Sequence, residues 1–229
     1  MNADDTRASA AVQAIQSGDS EALERILSEE PALVKARIDG QRTLLHVATD
    51  WPGHFPNNAA SVGALLDHGA DVNAAFAGRH SETPLHWAAS SDDVAVIDAL
   101  LDRAADIEAV GGVIGGGTPL ADAVAFGQWK AARRLVERGA RTTLWQAAAL
   151  GLMSRVEEYF GRDPSPTSDE VTNALWCACH GGQRAAAEYL LGKGADINWV
   201  GYDGLTPVDA ANRSRAEDVV EWIRSLGAR

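Results

Sequence analysis

One heptapeptide pattern returns along the whole chain, and it limits the possible folds more than any other feature. TPLHWAA at 83 has relatives in TLLHVAT at 43, TPLADAV at 118, TTLWQAA at 142, NALWCAC at 173 and TPVDAAN at 206. Alanine recurs five places after each start, as Ala48, Ala88, Ala123, Ala147, Ala178 and Ala211, and a fainter copy begins at Ser9 with Ala14 in the same place. Further along each unit comes an apolar pair such as Leu65-Leu66, Leu100-Leu101 or Leu190-Leu191, often followed by a turn reading GADVN at 69, AADIE at 104 or GADIN at 194. Units of this kind bury their apolar faces only by stacking on one another.

Each piece of the unit has a physical job. The threonine hydroxyl can cap free backbone N–H groups at the start of a helix, and proline at the first helical position lacks a donor that would be orphaned anyway. The small alanine lets helices of adjoining units approach closely, while each buried leucine is worth about 1.5–3 kcal/mol. Glycine ends the second helix because it tolerates a left-handed backbone.

The unit resembles the ankyrin repeat, whose signature is T-P-L-H-x-A at a period near 33 residues. The resemblance covers about seven units from Ser9 to Arg229, starting near 9, 43, 83, 118, 142, 173 and 206. It implies an all-α ankyrin solenoid of helix-turn-helix units, with residues 1–229 forming a single domain. More narrowly, HVATDWPGHFPN, ARTTLWQAAALG and NWVGYDGLTPVDAA are similar to stretches of bacterial ankyrin-repeat proteins of unassigned function, a likeness that names no chemistry.

Charge narrows the partners. Twenty Lys and Arg against 32 Asp and Glu leave a formal net charge of −12. That repels phosphate backbones and anionic lipid, so neither nucleic acid nor membrane is expected to bind. MNADDTRASA has no basic region ahead of an apolar run, and no segment approaches the ~18 apolar residues of a membrane span. Cys177 and Cys179 project about 200° apart on a helix, so no disulfide is expected and a reducing cytoplasm is the expected location.

The spacings between successive starts are 34, 40, 35, 24, 31 and 33 residues, and the departures mark where something else is built. The step of 40 contains TDWPGHFPNN, residues 49–58, rich in loop formers and placed between a unit's two helices. It is either a tolerated insertion or a lid over the groove. GGVIGGGTPL at 111–120 carries five glycines between two units. A phosphate loop needs G-x-x-x-x-G-K-[ST], yet no lysine lies between Lys35 and Lys130, so residues 111–117 read as a hairpin-like finger with permissive backbone angles. The step of 24 leaves almost no room for a finger, and GRDPSPTSDEV after Phe160 replaces the usual turn.

First helices of such units line a concave face, on which positions three, four, seven and eight form one stripe. That stripe brings up Trp51, Trp87, Phe126, Trp145 and Trp176 beside Asp50, Asp122, Gln146 and His180, with His54 in the inserted loop. Aromatic groups with sparse polar neighbours suit a binding hot spot or a small-molecule pocket. These ten are the expected binding residues, Trp51, Trp87 and Asp122 being the ones expected to be exposed. Trp145 and Trp176 stand where the repeat has its histidine, so core packing is the competing reading for them.

His46 and His86 match the repeat's own histidine and are expected to be structural. His46, Asp50 and His54 invite a metal, but no H-x-x-x-H or paired C-x-x-C completes a site, and no metal or cofactor is expected. Asp122 with His180 or His54 could act as an acid or base if desolvated, and Cys177 as a nucleophile if its pKa were lowered, but no nucleophile elbow accompanies them. The expected function is a non-catalytic module that binds another protein or a basic, apolar peptide. The alternative is an enzyme or small-molecule receptor with a pocket closed by the 49–58 loop and the 111–117 finger.

Overall fold

Thr43 shows how the repeat's sequence becomes a helix. Its hydroxyl accepts the His46 amide N–H at 3.4 Å, and the His46 ring accepts the Thr43 amide N–H through Nδ1 at 3.3 Å, so each covers a donor the other leaves open. The same reciprocal cap recurs at Thr83, Thr143, Thr167 and Thr206. Second helices are started by acids in two units, where Asp19 accepts the Ala22 N–H at 2.9 Å and Asp93 the Val96 N–H at 3.2 Å.

The computed structural model describes residues 6–229. Among them run α1 (Thr6–Ser17), α2 (Ser20–Glu29), α3 (Leu44–Thr49), α4 (Asn58–Asp67), α5 (Pro84–Ser90), α6 (Val94–Leu101), α7 (Pro119–Ala125), α8 (Trp129–Glu137), α9 (Leu144–Leu150), α10 (Met153–Phe160), α11 (Ser168–His180), α12 (Arg184–Gly192), α13 (Pro207–Arg213) and α14 (Glu217–Ser225). They form seven successive helix pairs, with short 3-10 turns at Pro31–Lys35 and Tyr202–Gly204 and no strand among the described residues. No described helix is long and apolar enough to cross a membrane.

The helices gather into two compact units, residues 1–140 and 141–229. In the first, α1, α3, α5 and α7 pack in sequence order as one layer and α2, α4, α6 and α8 as the other. In the second, α9, α11 and α13 form the first-helix layer, and α10 packs on α12. The recurring alanines Ala48, Ala88, Ala123, Ala147, Ala178 and Ala211 are all fully buried, as are Leu65, Leu85, Leu100, Leu120 and Leu135. Gly181 shows how close neighbouring first helices come in the second unit: a Cβ there would lie 1.9 Å from the Ala149 carbonyl oxygen.

Two local readings change. α11 begins at Ser168, five residues before the expected start at Asn173, because Thr167 and Glu170 cap each other across the serine-rich stretch. α9 takes its cap from Thr143 rather than Thr142, which moves Gln146 into the capping position.

Candidate functional site

The expected residues differ in exposure and in partners, and each compact unit holds some of them. Within residues 1–140, Asp50 and Trp51 border a cleft of about 400 Å³. It is lined by Val12, Gln13 and Gln16 of α1, by Val47 of α3, and by Trp51 and Phe55 of the loop after α3. Arg42 crosses its edge, pairing with Asp39 at 2.8 Å and Asp50 at 2.9 Å. Two carboxylates thus face one guanidinium, and the cleft keeps a net negative charge. The Trp51 indole stands 76% exposed, more than any other large hydrophobic side chain among the described residues.

Side chains on both sides pin the loop that carries Trp51. Asn57 Nδ2 donates to the Gly18 carbonyl at 3.0 Å, tying the loop to the α1–α2 turn. On the other side, His54 Nε2 donates to the Ser91 carbonyl at 2.9 Å, and the His54 N–H reaches Asp93 at 3.3 Å. Asn58 Nδ2 joins the Ala48 carbonyl at 2.8 Å and the same Asp93 oxygen at 3.1 Å. His54 is thus an anchor of the loop. The segment read as insertion or lid is a strap fastened to the units before and after its own. The glycine finger contributes nothing to the cleft's lining.

Asp122 is the plainest correction. Expected on the exposed face, it is fully buried, beside Glu82, itself 5% exposed. The finger seals both: its Val113 N–H donates to Glu82 Oε1 at 3.1 Å and its Ile114 N–H to Asp122 Oδ1 at 3.3 Å. Trp87, half-buried where exposure was expected, donates its indole N–H to Glu82 Oε2 at 2.7 Å. His80 Nδ1 lies 2.9 Å from that oxygen, off the line of a good hydrogen bond. Burial, then the hydrogen bond and charge of Glu82, push the Asp122 carboxyl up to about 8. Phe126, 48% exposed, ends α7 away from this cluster.

In the histidine positions the structural reading holds. His46 and His86 accept a backbone N–H at Nδ1, so Nε2 carries the proton and donates to the carbonyls of Glu82 at 3.1 Å and Gly117 at 3.2 Å. Each accepting residue immediately precedes the next unit's threonine cap. Burial lowers both imidazoles, His46 to about 4.

Residues 141–229 hold the other expected residues, largely spent on packing. Trp176 is 3% exposed and donates its indole N–H to the Leu205 carbonyl at 2.9 Å, just before Thr206, so it performs the histidine's task in its own unit. His180 is buried, its ring centroid 5.5 Å from that of Trp176 and its Nδ1 3.1 Å from the Ser214 hydroxyl. Gln146 Oε1 accepts the Thr143 N–H at 2.8 Å, and Trp145 packs against the core of this unit. Burial raises the Cys177 thiol far above its ordinary range, the opposite of what a nucleophile needs. No cluster of three or more potential metal ligands occurs among the described residues.

Sequence reasoning missed Glu82 and His80, which precede the repeat start, and Phe55, Gln13 and Gln16 as cleft lining. Glu82 carried a usable signal, an acid directly before a threonine cap. Nothing local showed that a finger from the following unit would close over it.

No curated protein matches the chain. Solved structures resembling it include the human ASB11 ankyrin repeat domain, at 20% identity over 93% of this chain and 96% of that one with a TM-score of 0.57. The ankyrin repeat domain of Bcl-3, a member of the IκB protein family, is similar at 24% identity over 93% and 97% of the two chains with a TM-score of 0.56. Both show the fold. The family described as ankyrin repeats (3 copies) matches residues 57–144 and 144–229, and with the threonine caps, buried alanines and paired helices already described, the chain belongs to the ankyrin-repeat family.

Proposed function

We propose that this protein is a non-catalytic binding module whose contact surface is the cleft at Trp51, and that its partner is a protein segment offering an apolar side chain flanked by lysine or arginine. Ankyrin repeats are in general protein–protein interaction modules. One observation carries the reading: an indole 76% exposed, on a strap fixed from both sides, beside a cleft of about 400 Å³. A backbone already held in place loses little freedom on binding, so more of the contact energy is retained as affinity. Tryptophan is the residue most enriched among those that dominate interfaces. The acids at the rim, and the net charge of −12, favour a cationic segment and speed its arrival.

The small-molecule alternative has less support, because of the two segments expected to close a pocket together only the strap lines the cleft and the finger does not. Residues 1–229 are taken to act as one ankyrin-repeat domain. A bacterial cytoplasm is the proposed setting, on the strength of the narrower sequence likeness and of two cysteines left as buried free thiols. Selection of a random peptide library on the full chain tests the function. Peptides enriched in Lys or Arg beside aliphatic or aromatic residues, binding Trp51→Ala at least tenfold more weakly, are expected. A selected set that binds Trp51→Ala as well as the native chain overturns the assignment.

A further inference from the structure

Two carboxyl groups buried together raise a question of proton count. Glu82 and Asp122 lie within hydrogen-bonding reach of each other. Three of their four oxygens have N–H groups directed at them: Glu82 Oε1 from Val113, Glu82 Oε2 from Trp87, and Asp122 Oδ1 from Ile114. The fourth, Asp122 Oδ2, is buried and meets no donor. An ionised pair would leave two like charges side by side with one oxygen unsatisfied, a costly arrangement for two buried carboxyls. A hydrogen on Asp122 Oδ2, donated to Glu82, satisfies the orphan and removes the repulsion.

We propose that Asp122 and Glu82 share a single proton that latches the 111–117 finger shut, and that alkaline loss of this proton releases the finger. The latch depends on backbone placement. Gly112 lies so close that a Cβ there would meet both Asp122 carboxylate oxygens, at 2.7 and 2.8 Å. Only two finger amides, those of Val113 and Ile114, hold the carboxyls directly, and Val113 itself is 48% exposed at the tip. When both carboxyls are charged, their repulsion and their burial favour opening and outweigh the two N–H bonds, which charge strengthens.

The surrounding charges do not cancel the effect. The segment before α5 contributes His80, α5 contributes His86, α3 contributes His46, and the finger's own approach contributes Asp106. Arg37 and Arg42 act on His46. His46 and His86 are held neutral by burial, so neither offsets the charge of an ionised pair. Asp106 acts on His86 and brings a carboxylate, not a cation that could neutralise the pair.

The test compares the full native chain with Asp122→Asn, whose amide supplies the same donor at every pH. Hydrogen exchange of the Val113 and Ile114 amides is followed from pH 6 to 9.5 as the ratio of native to variant, which cancels the intrinsic base catalysis. The ratio is expected to climb by up to about tenfold per pH unit from pH 6 and to level off above about 8, where the latched carboxyl itself ionises. A ratio flat across the range overturns the latch. Because Asp122→Asn could misfold, the carboxyl carbon of Asp122 in the native chain is also followed by ¹³C NMR. A transition in the alkaline range supports a held proton, and a carboxylate shift already present at pH 6 rules it out.

Discussion

The strap at 49–58, an insertion, and the finger at 111–117, a turn between repeats, are both loops of residues 1–140, and they are used in opposite ways. The strap is held by side chains, His54, Asn57 and Asn58, donating outward to backbone and to Asp93, and its own tryptophan is left in solvent. The finger is held through its own backbone N–H groups, folds inward and removes two acids from solvent. What such a loop does is therefore set by where its hydrogen bonds point. A segment satisfied by neighbouring units can offer a side chain outward. A segment that satisfies buried groups becomes part of the interior.

Asp93 breaks the comparison most severely. Its carboxylate accepts from the His54 and Val96 amides and from Asn58, so Asp93→Ala leaves three donors short. At about 1–3 kcal/mol for each buried donor, a loss of about 4 kcal/mol in denaturant unfolding is expected, together with weaker peptide binding as the strap loosens. Binding unchanged in a folded Asp93→Ala chain would show that the strap does not position Trp51.

Acid and base act on the two regions with opposite sign. The lowered imidazole of His46, beneath the strap's helix, makes the unfolded chain bind more protons between about pH 6.5 and 4, so its contribution is present above that range and lost as pH falls through it. A loss of up to about 3 kcal/mol is expected there, and His46→Gln should flatten it. The raised carboxyl of Asp122 makes the folded chain the stronger proton binder between about 4 and 8, so stability falls as pH rises through that range. Asp122→Asn should remove that alkaline loss while leaving the acid limb in place. Urea midpoints across pH for the three chains separate the two limbs.

Gly112→Ala sharpens the finger's side of the contrast. Its Cβ collides with the Asp122 carboxyl, and a cost of about 2 kcal/mol is expected from overpacking, concentrated in exchange of the finger amides. Trp51→Ala is the reverse case. Its unfolding midpoint should shift by less than about 0.5 kcal/mol, because the ring is in solvent, while peptide affinity falls by about 2 kcal/mol. A large stability loss at Trp51 would mean that the indole supports the fold rather than a partner.

The repeat was legible because its physics is local and repeated: a threonine cap, a small buried alanine and an apolar pair occur in nearly every unit. The histidines' structural role was legible for the same reason. The candidate site was only half legible. Trp51 could be placed on an inserted loop, but the strap's fastening depends on Gly18, Ser91 and Asp93, which lie in the turns of the units before and after. Gln146 was read as surface and Trp176 as either surface or core, because position in the repeat says which way a residue faces, and not whether a neighbouring carbonyl or amide will claim it.

Sequence alone determined the paired helices, their number and their alanine seams, since each follows from hydrogen bonds and contacts made within a unit or in the same way at every junction. Tertiary structure alone decided that Asp122 is covered, that Glu82 stands beside it and that Trp51 is not covered. Those outcomes turn on which loop of an adjoining unit arrives over a given side chain, and that contact, not the side chain's own character, sets how much water it keeps.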